Sequence, residues 1–393
     1  RAVRSIGQGA LAIDFALYTR VLGWSPEMLG VVIGAGLVLN AIVTVVIGPL
    51  SDHFGRRGFI LGYEGMSILT GVLALFTAGP WALAVLAALA GWGRGANGAP
   101  ALFGAVEQAW LSRTIERRDL SRVFSYMTAA GFFGTAIGMA LGGLPALLAP
   151  FLPSALAYRP LFGLAALGDV ICLIVLAHTP DPPALAETEE ETRLPPAPEA
   201  QVRRQEYGLL ARLAGLNALN GVGIGLVGPL LSWWFAERYG VGPAAIGPAL
   251  SVALLLCGFA SLAAAVVVNR LGTIRLIVGM RALGLVMLVL LPFAPSYPLA
   301  MLAYGLRLIL NRGTAGPRQA LAVGLVRPDR RGLAASVNSF SIQLTRSVGP
   351  ALAGLLFGAD LLMAPFLLGA LCQGIYLALY ARVFRAHDPV RRN

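Results

Sequence analysis

The sequence contains no lysine; all 30 of its basic residues are arginine. Charge of either sign is scarce, at 12% of residues, where a soluble chain carries about a quarter. Cysteine is confined to Cys172, Cys257 and Cys372, each alone in an apolar run, so neither a disulfide framework nor a zinc site is available. No Walker A sequence occurs, which removes direct drive by ATP. "GIGLVG" at 223–228 satisfies GxGxxG, but it lies inside an apolar run with no strand before it, so a dinucleotide site is excluded. The histidines, His53, His178 and His387, fall near the ends of apolar runs and form no constellation with Ser, Cys or paired acids. No enzyme, no metal and no cofactor is expected.

What the chain has is apolar length. It is 57% hydrophobic with a mean hydropathy of +0.74. Stretches long enough to cross a bilayer recur at about 4–23, 27–50, 58–78, 82–109, 122–148, 160–178, 207–236, 244–268, 276–294, 298–325, 333–357 and 364–383. The connections alternate between two kinds. "GWSPEM", "AGPW", "RYGVGP" and "APSYP" are nearly free of Arg, whereas "SDHFGRR", "LSRTIERRDLSR", "VNRLGTIR", "VRPDRRG" and "RAHDPVRRN" are rich in it. Placing the second kind in the cytoplasm puts about 20 arginines inside and leaves Arg20, Arg159 and Arg238 outside. The expectation is an all-α protein of twelve transmembrane helices in the inner membrane, with both termini cytoplasmic. Topology accounts for the net charge of +11, and no nucleic-acid partner is implied. The chain starts at Arg1, which leaves its true N-terminus open.

Residues 179–206 differ in kind. They are rich in Pro and Glu and lack apolar periodicity, so they read as a solvated cytoplasmic linker between six-helix halves at 1–178 and 207–393. The halves echo each other. "LGWSPEMLG" (22–30) aligns with "YGVGPAAIG" (239–247) at an offset of 217, which carries Asp52 onto Asn269, Gly55 onto Gly272 and Glu64 onto Arg281. "RGANGAP" (94–100) meets "RGTAGPR" (312–318), and "GMALGG" (138–143) meets "GPALAG" (349–354). Parallel repeats of this sort place a transport site between the halves near the midplane.

The stretch "GPLSDHFGRRGFI" at 48–60, between the second and third spans, resembles the signature of the major facilitator superfamily. The matching residues are Gly48, Leu50, Asp52, Gly55, Arg56 and Arg57, with His53 where a basic residue is usual. Within the family the chain is most similar to bacterial drug and metabolite–proton antiporters. The resemblance implies two six-helix bundles that move solutes by alternating access. It also implies a cytoplasmic gate in which Asp52 meets the start of the eleventh span and Arg56 or Arg57 pairs with Glu107. Plain topology is the other reading of the two arginines.

Ionisable residues at membrane depth are costly and therefore functional candidates. Asp14 in the first span and Arg94 in the fourth are expected as proton carrier and tuner, an inert ion pair being the alternative. Arg94 resembles the Arg of an Arg-x-x-x-Gly motif of proton-coupled members, with Asn97 in the cavity. Glu64 is the second candidate carrier, and Asp169 follows. Asn217, Asn220, Arg312 and Arg346 are expected to line the substrate cavity; for the arginines the alternative is that each caps carbonyls or pairs with acids of its own bundle. Trp233 and Trp234 read as interfacial anchors, with aromatic contacts to the cavity as the other reading. "GTAIGMALGG" resembles the antiporter motif Gly-Pro-x-x-Gly-Gly, but with Met139 in place of the Pro. The functional expectation is proton-coupled export of small amphipathic organic molecules by a monomer in the bilayer. Uptake or exchange of an organic anion through the deep arginines is one alternative, and a non-transporting scaffold or receptor is another.

Overall fold

A computed structural model describes residues 2–54, 56–92, 117–179, 199–315, 318, 321 and 331–384. Within these, the side chains of 44–54, 56, 117–128, 199–205, 262, 264–266, 268–271, 273, 331–336 and 339 are set aside. The described residues form helices and no strand. The first half contains α1 (Ala2–Val21), α2 (Pro26–Phe54), α3 (Arg56–Phe76), α4 (Pro80–Ala90), α5 (Arg117–Leu141), the short α6 (Leu144–Leu148) and α7 (Arg159–His178). The second contains α8 (Glu199–Val227), α9 (Leu231–Tyr239), α10 (Pro243–Leu271), α11 (Thr273–Leu290), α12 (Tyr297–Gly313), α13 (Arg331–Arg346), α14 (Val348–Gly358) and α15 (Ala364–Phe384). They take the places of the twelve expected spans in order, the fourth and tenth only in part. Eight of the described helical stretches are long and apolar enough to cross a membrane on those grounds alone.

Local sequence sets the boundaries. Gly23 and Gly240 adopt left-handed φ values of 78° and 66°, which only glycine does without strain, and end α1 and α9. Pro26 and Pro243 then open the next helices at the position where a missing N–H costs nothing. The seventh span breaks between α8 and α9 at Gly228-Pro229. The eleventh breaks at Ser347, where the ring of Pro350 would crowd the Arg346 carbonyl in a continuous helix. One boundary departs from expectation: α8 begins at Glu199, inside the stretch read as linker. "EAQVRRQE" is built of good helix formers directly after Pro198, and polarity there concealed the propensity.

Within the first half, α1 packs on α5 and α7, and α3 on α7; within the second, α8 packs on α13 and α15, α10 on α12, and α11 on α12 and α15. The halves meet where α2 lies against α13 and α14, α5 against α10, and α1 against α9. Glycines permit the close approaches, and they occur in matched pairs. Gly30 rests on the Pro350 carbonyl, and Gly247 rests on the Met139 carbonyl. Gly9 touches the Thr135 carbonyl, as Gly225 touches that of Arg346; Gly7 faces Ala165, as Gly223 faces Gly369. Each pair obeys one register, in which the first and seventh spans differ by 216, the second and eighth by 217, the fifth and eleventh by 211, and the sixth and twelfth by 204. The internal repeat is therefore a repeat of packing as well as of sequence. The glycine contacts between halves sit at the Arg-poor end, beside the 22–26 and 239–243 turns.

Candidate functional site

Asp14 stands on α1 with 1% of its surface exposed. Neither carboxylate oxygen meets a hydrogen-bond donor among the described residues. It lies against Gly142, just beyond α5, so closely that a Cβ on that glycine would sit 2.5 Å from Asp14 Oδ2. The opposite face of the same turn carries the other half of the protein, because Gly247 packs on Met139, Gly142 and Gly143. One glycine thus separates Asp14 from the seam between the halves. Tyr158, at the start of the sixth span, is near enough to feel the Asp14 charge. Asp14 is not exposed to an open chamber in this structure, contrary to expectation, because small residues let α5 close over it. Its expected partner Arg94 lies outside the described residues, as do Asn97, Glu107 and Gly55. The helix α2 runs through Gly48 and Asp52, and α3 starts at Arg56, but the side chains at these positions lie outside the described set.

Nearer the start of α1 a second acidic cluster is assembled. Arg4 on α1 pairs with Glu64 on α3, both buried. Asp169 on α7, also buried, lines one small cavity with Arg4. One cation is therefore gathered with two acidic side chains. Beside them is a cavity of about 10 Å³ lined by Arg4, Gln8, Ser67, Trp92 and Asp169 among others, close to the least volume that holds a single water. Sequence reasoning ranked Glu64 and Asp169 low and passed over Arg4. The missing signal was that all three project from spans that pack together.

Arg57 Nη2 donates to the carbonyls of Ala177 at 2.8 Å and Leu176 at 3.4 Å, capping the C-terminal end of α7. This ties the third span to the sixth; the expected partner Glu107 lies outside the described residues. Asn217 donates to Asn338 Oδ1 at 3.0 Å and Ser341 Oγ at 3.1 Å, joining the seventh span to the eleventh. Asn220 accepts from Arg281 Nη2 at 2.6 Å, joining the seventh to the ninth. Both amides, expected from the sequence to line the cavity, are buried in helix contacts inside the second half. Arg346 is buried beside the break in the eleventh span, and Arg312 is half-buried near the end of α12. Trp233 and Trp234 are not interfacial anchors. Both are buried, Trp234 packing on Phe235, Tyr239 and Phe366, because the break at Pro229 turns α9 inward.

A family described as the Major Facilitator Superfamily matches residues 2–213 and 213–393. The chain belongs to that superfamily. A superfamily protein of this architecture is a membrane transporter of small molecules and not an enzyme. Among curated relatives, the probable 4-methylmuconolactone transporter of Cupriavidus pinatubonensis is 28% identical over 54% of this chain, and the match spans about half, 47%, of that relative's length. Among solved structures, a bacterial homologue of the human lysosomal transporter Spinster, inward-facing, superposes with a TM-score of 0.74 at 13% identity, covering 98% of this chain and 94% of that one. The D-xylose–proton symporter superposes with a TM-score of 0.70 at 14% identity, over 94% and 95% of the two chains. At these identities the structural likeness speaks for the fold.

Proposed function

We propose that this superfamily member is a proton-coupled secondary transporter of small organic molecules, acting as a monomer in the inner membrane with both termini in the cytoplasm. The observation that carries the reading is Asp14, buried without a donor among the described residues and one glycine away from the seam of the closed Arg-poor end. A charged carboxylate that meets neither counter-ion nor hydrogen-bond donor among those residues is costly there, by several kcal/mol. The closed seam and a charged Asp14 thus exclude each other. When α5 and α10 part, water reaches the acid and it ionises; when it takes up a proton, the halves close. That is the coupling alternating access requires. The Arg4–Glu64–Asp169 cluster, farther along α1, supplies a second place for a proton on the way to the Arg-rich end.

Export of amphipathic solutes follows from the resemblance to drug and metabolite antiporters. Transport of an organic anion is the second reading, favoured by the deep arginines of the second half. The probable 4-methylmuconolactone transporter among the relatives supports a small organic cargo under either reading. The test uses proteoliposomes with trapped pyranine, and 4-methylmuconolactone and tetraphenylphosphonium as first solutes. Wild type should couple solute movement to proton movement. Asp14→Asn should keep solute exchange but lose accumulation driven by a pH gradient; accumulation at the wild-type level in that variant would reject the assignment.

A further inference from the structure

The repeat register places three buried side chains of the second half on the positions of the acidic cluster in the first. Arg4 corresponds to Asn220, Glu64 to Arg281 and Asp169 to Gln373. The Arg4–Glu64 ion pair is accordingly mirrored by the Arg281–Asn220 hydrogen bond. The polarity is inverted: a cation paired with an acid has become a cation bonded to an amide, and a second amide, Gln373, which packs against Gly223, stands at the register position of the second acid.

Among the described residues, the amides leave Arg281 without a counter-charge. Arginine only donates, so Asn220 must turn its carbonyl to Arg281 and its NH2 away. Asn220 Nδ2, Arg281 Nη1 and Gln373 Nε2 are all buried and without an acceptor among the described residues. Tyr376 supports the face of the guanidinium, 4.6 Å from its carbon to the ring centroid. Arg307 and Arg318 add positive charge nearby. No span of this half supplies an acid. From Tyr207 to Phe384 the only carboxylates are Glu237, Asp329 and Asp360. Glu237 and Asp360 are exposed at helix ends, and Asp329 falls in the Arg-rich stretch before α13. Glu206 precedes Asn220 by a helical distance of roughly 20 Å. Buried donors without acceptors are costly, and a buried guanidinium without a counter-ion more so.

We infer that Arg281, Asn220 and Gln373 form a binding site for a compact monovalent anion, either a carboxylate of the cargo or a halide. The first-half cluster holds two acids to one cation; its repeat mate holds a cation and no acid. The inference concerns the second half alone and stands whether or not Asp14 carries protons.

The test is thermal unfolding of the full-length protein in detergent, titrated with sodium benzoate or sodium chloride against the bulky HEPES anion at constant sodium. A saturating rise in Tm on the order of 5 °C is expected for at least one probe. Benzoate alone identifies a carboxylate site and chloride alone a halide site; a response to both marks a site selective for charge and size. Arg281→Gln should abolish the response. Gln373→Glu offers a variant that folds without added anion, because it tethers a carboxylate one helical turn from Tyr376, whose ring supports Arg281. It should raise the starting Tm and remove the response to both salts. No saturable response in wild type, or an undiminished one in Gln373→Glu, overturns the site. Failure of proton coupling would show instead as an absent pyranine signal and would leave these Tm titrations unchanged.

Discussion

Arg4 and Glu64 are each tolerable in the interior only because of the other. Removing one partner strands the other charge, at a cost of about 3–5 kcal/mol, whereas removing both deletes the problem together with its solution. Arg4→Gln is therefore expected to lower Tm steeply, and Arg4→Gln combined with Glu64→Gln to recover most of the loss. Thermal melts of the two singles and the double decide it; strict additivity would mean that the pair carries no coupling. Asn217 shows the smaller scale of a neutral contact. Its bonds to Asn338 and Ser341 cross between helices, where such interactions contribute about 0.6 and at most 1.7 kcal/mol. Asn217→Leu should cost correspondingly little in the same melts. Much at this scale was hidden in the sequence. Arg4 stands near a helix start, where arginines usually report topology, so nothing local marked it. Gln373 is neutral and drew no attention at all. Arg281 carried a readable signal, its register with Glu64, but the signal acquires meaning only once Arg4 and Asp169 are seen to converge.

Helix seams depend on backbone approach, which glycine permits and a side chain forbids. Gly247 presses on the Met139 carbonyl with no room for even a methyl, since a Cβ would stand 2.5 Å from that oxygen. Gly247→Val should keep the Arg-poor end from closing while leaving each bundle intact. The measure is labelling of an Ile246→Cys reporter by a membrane-impermeant maleimide, Ile246 being fully buried next to Gly247. Labelling should rise several-fold with Tm nearly unchanged; an unlabelled reporter would show that α5 and α10 do not form the gate. Elements of this kind were legible in advance. The turns at Gly23 and Gly240, the helix starts at Pro26 and Pro243, and the repeat of Gly30 in Gly247 all follow from residues whose backbone preferences are strong. The eleventh-span break at Ser347 was less legible, because an isolated Pro350 in an apolar run signals a kink without fixing its extent. The early start of α8 was misread because a polar composition suits both a linker and a solvated helical turn.

Across the whole molecule, the two halves also meet through charge. Arg20 at the end of α1 and Glu237 on α9 lie 2.8 Å apart as an exposed ion pair across the Arg-poor end. The pair adds an electrostatic contact to the glycine seam there. An exposed pair contributes only about 0.2–1 kcal/mol, too little to matter for folding. It is enough to shift a balance between open and closed states by up to about fivefold, since 1.4 kcal/mol is tenfold. Glu237→Arg sets two guanidinium groups against each other and should raise labelling of the Ile246→Cys reporter. Arg20→Glu combined with Glu237→Arg restores the attraction with its sense reversed and should bring labelling back to the wild-type level. Salt separates this from a packing effect, because exposed charges are screened beyond a Debye length of about 10 Å at 0.1 M. Raising ionic strength should increase labelling in wild type and in the swapped pair, and decrease it in Glu237→Arg, where screening relieves repulsion. Labelling that ignores both charge reversal and salt would leave the glycine seam alone to hold this end shut.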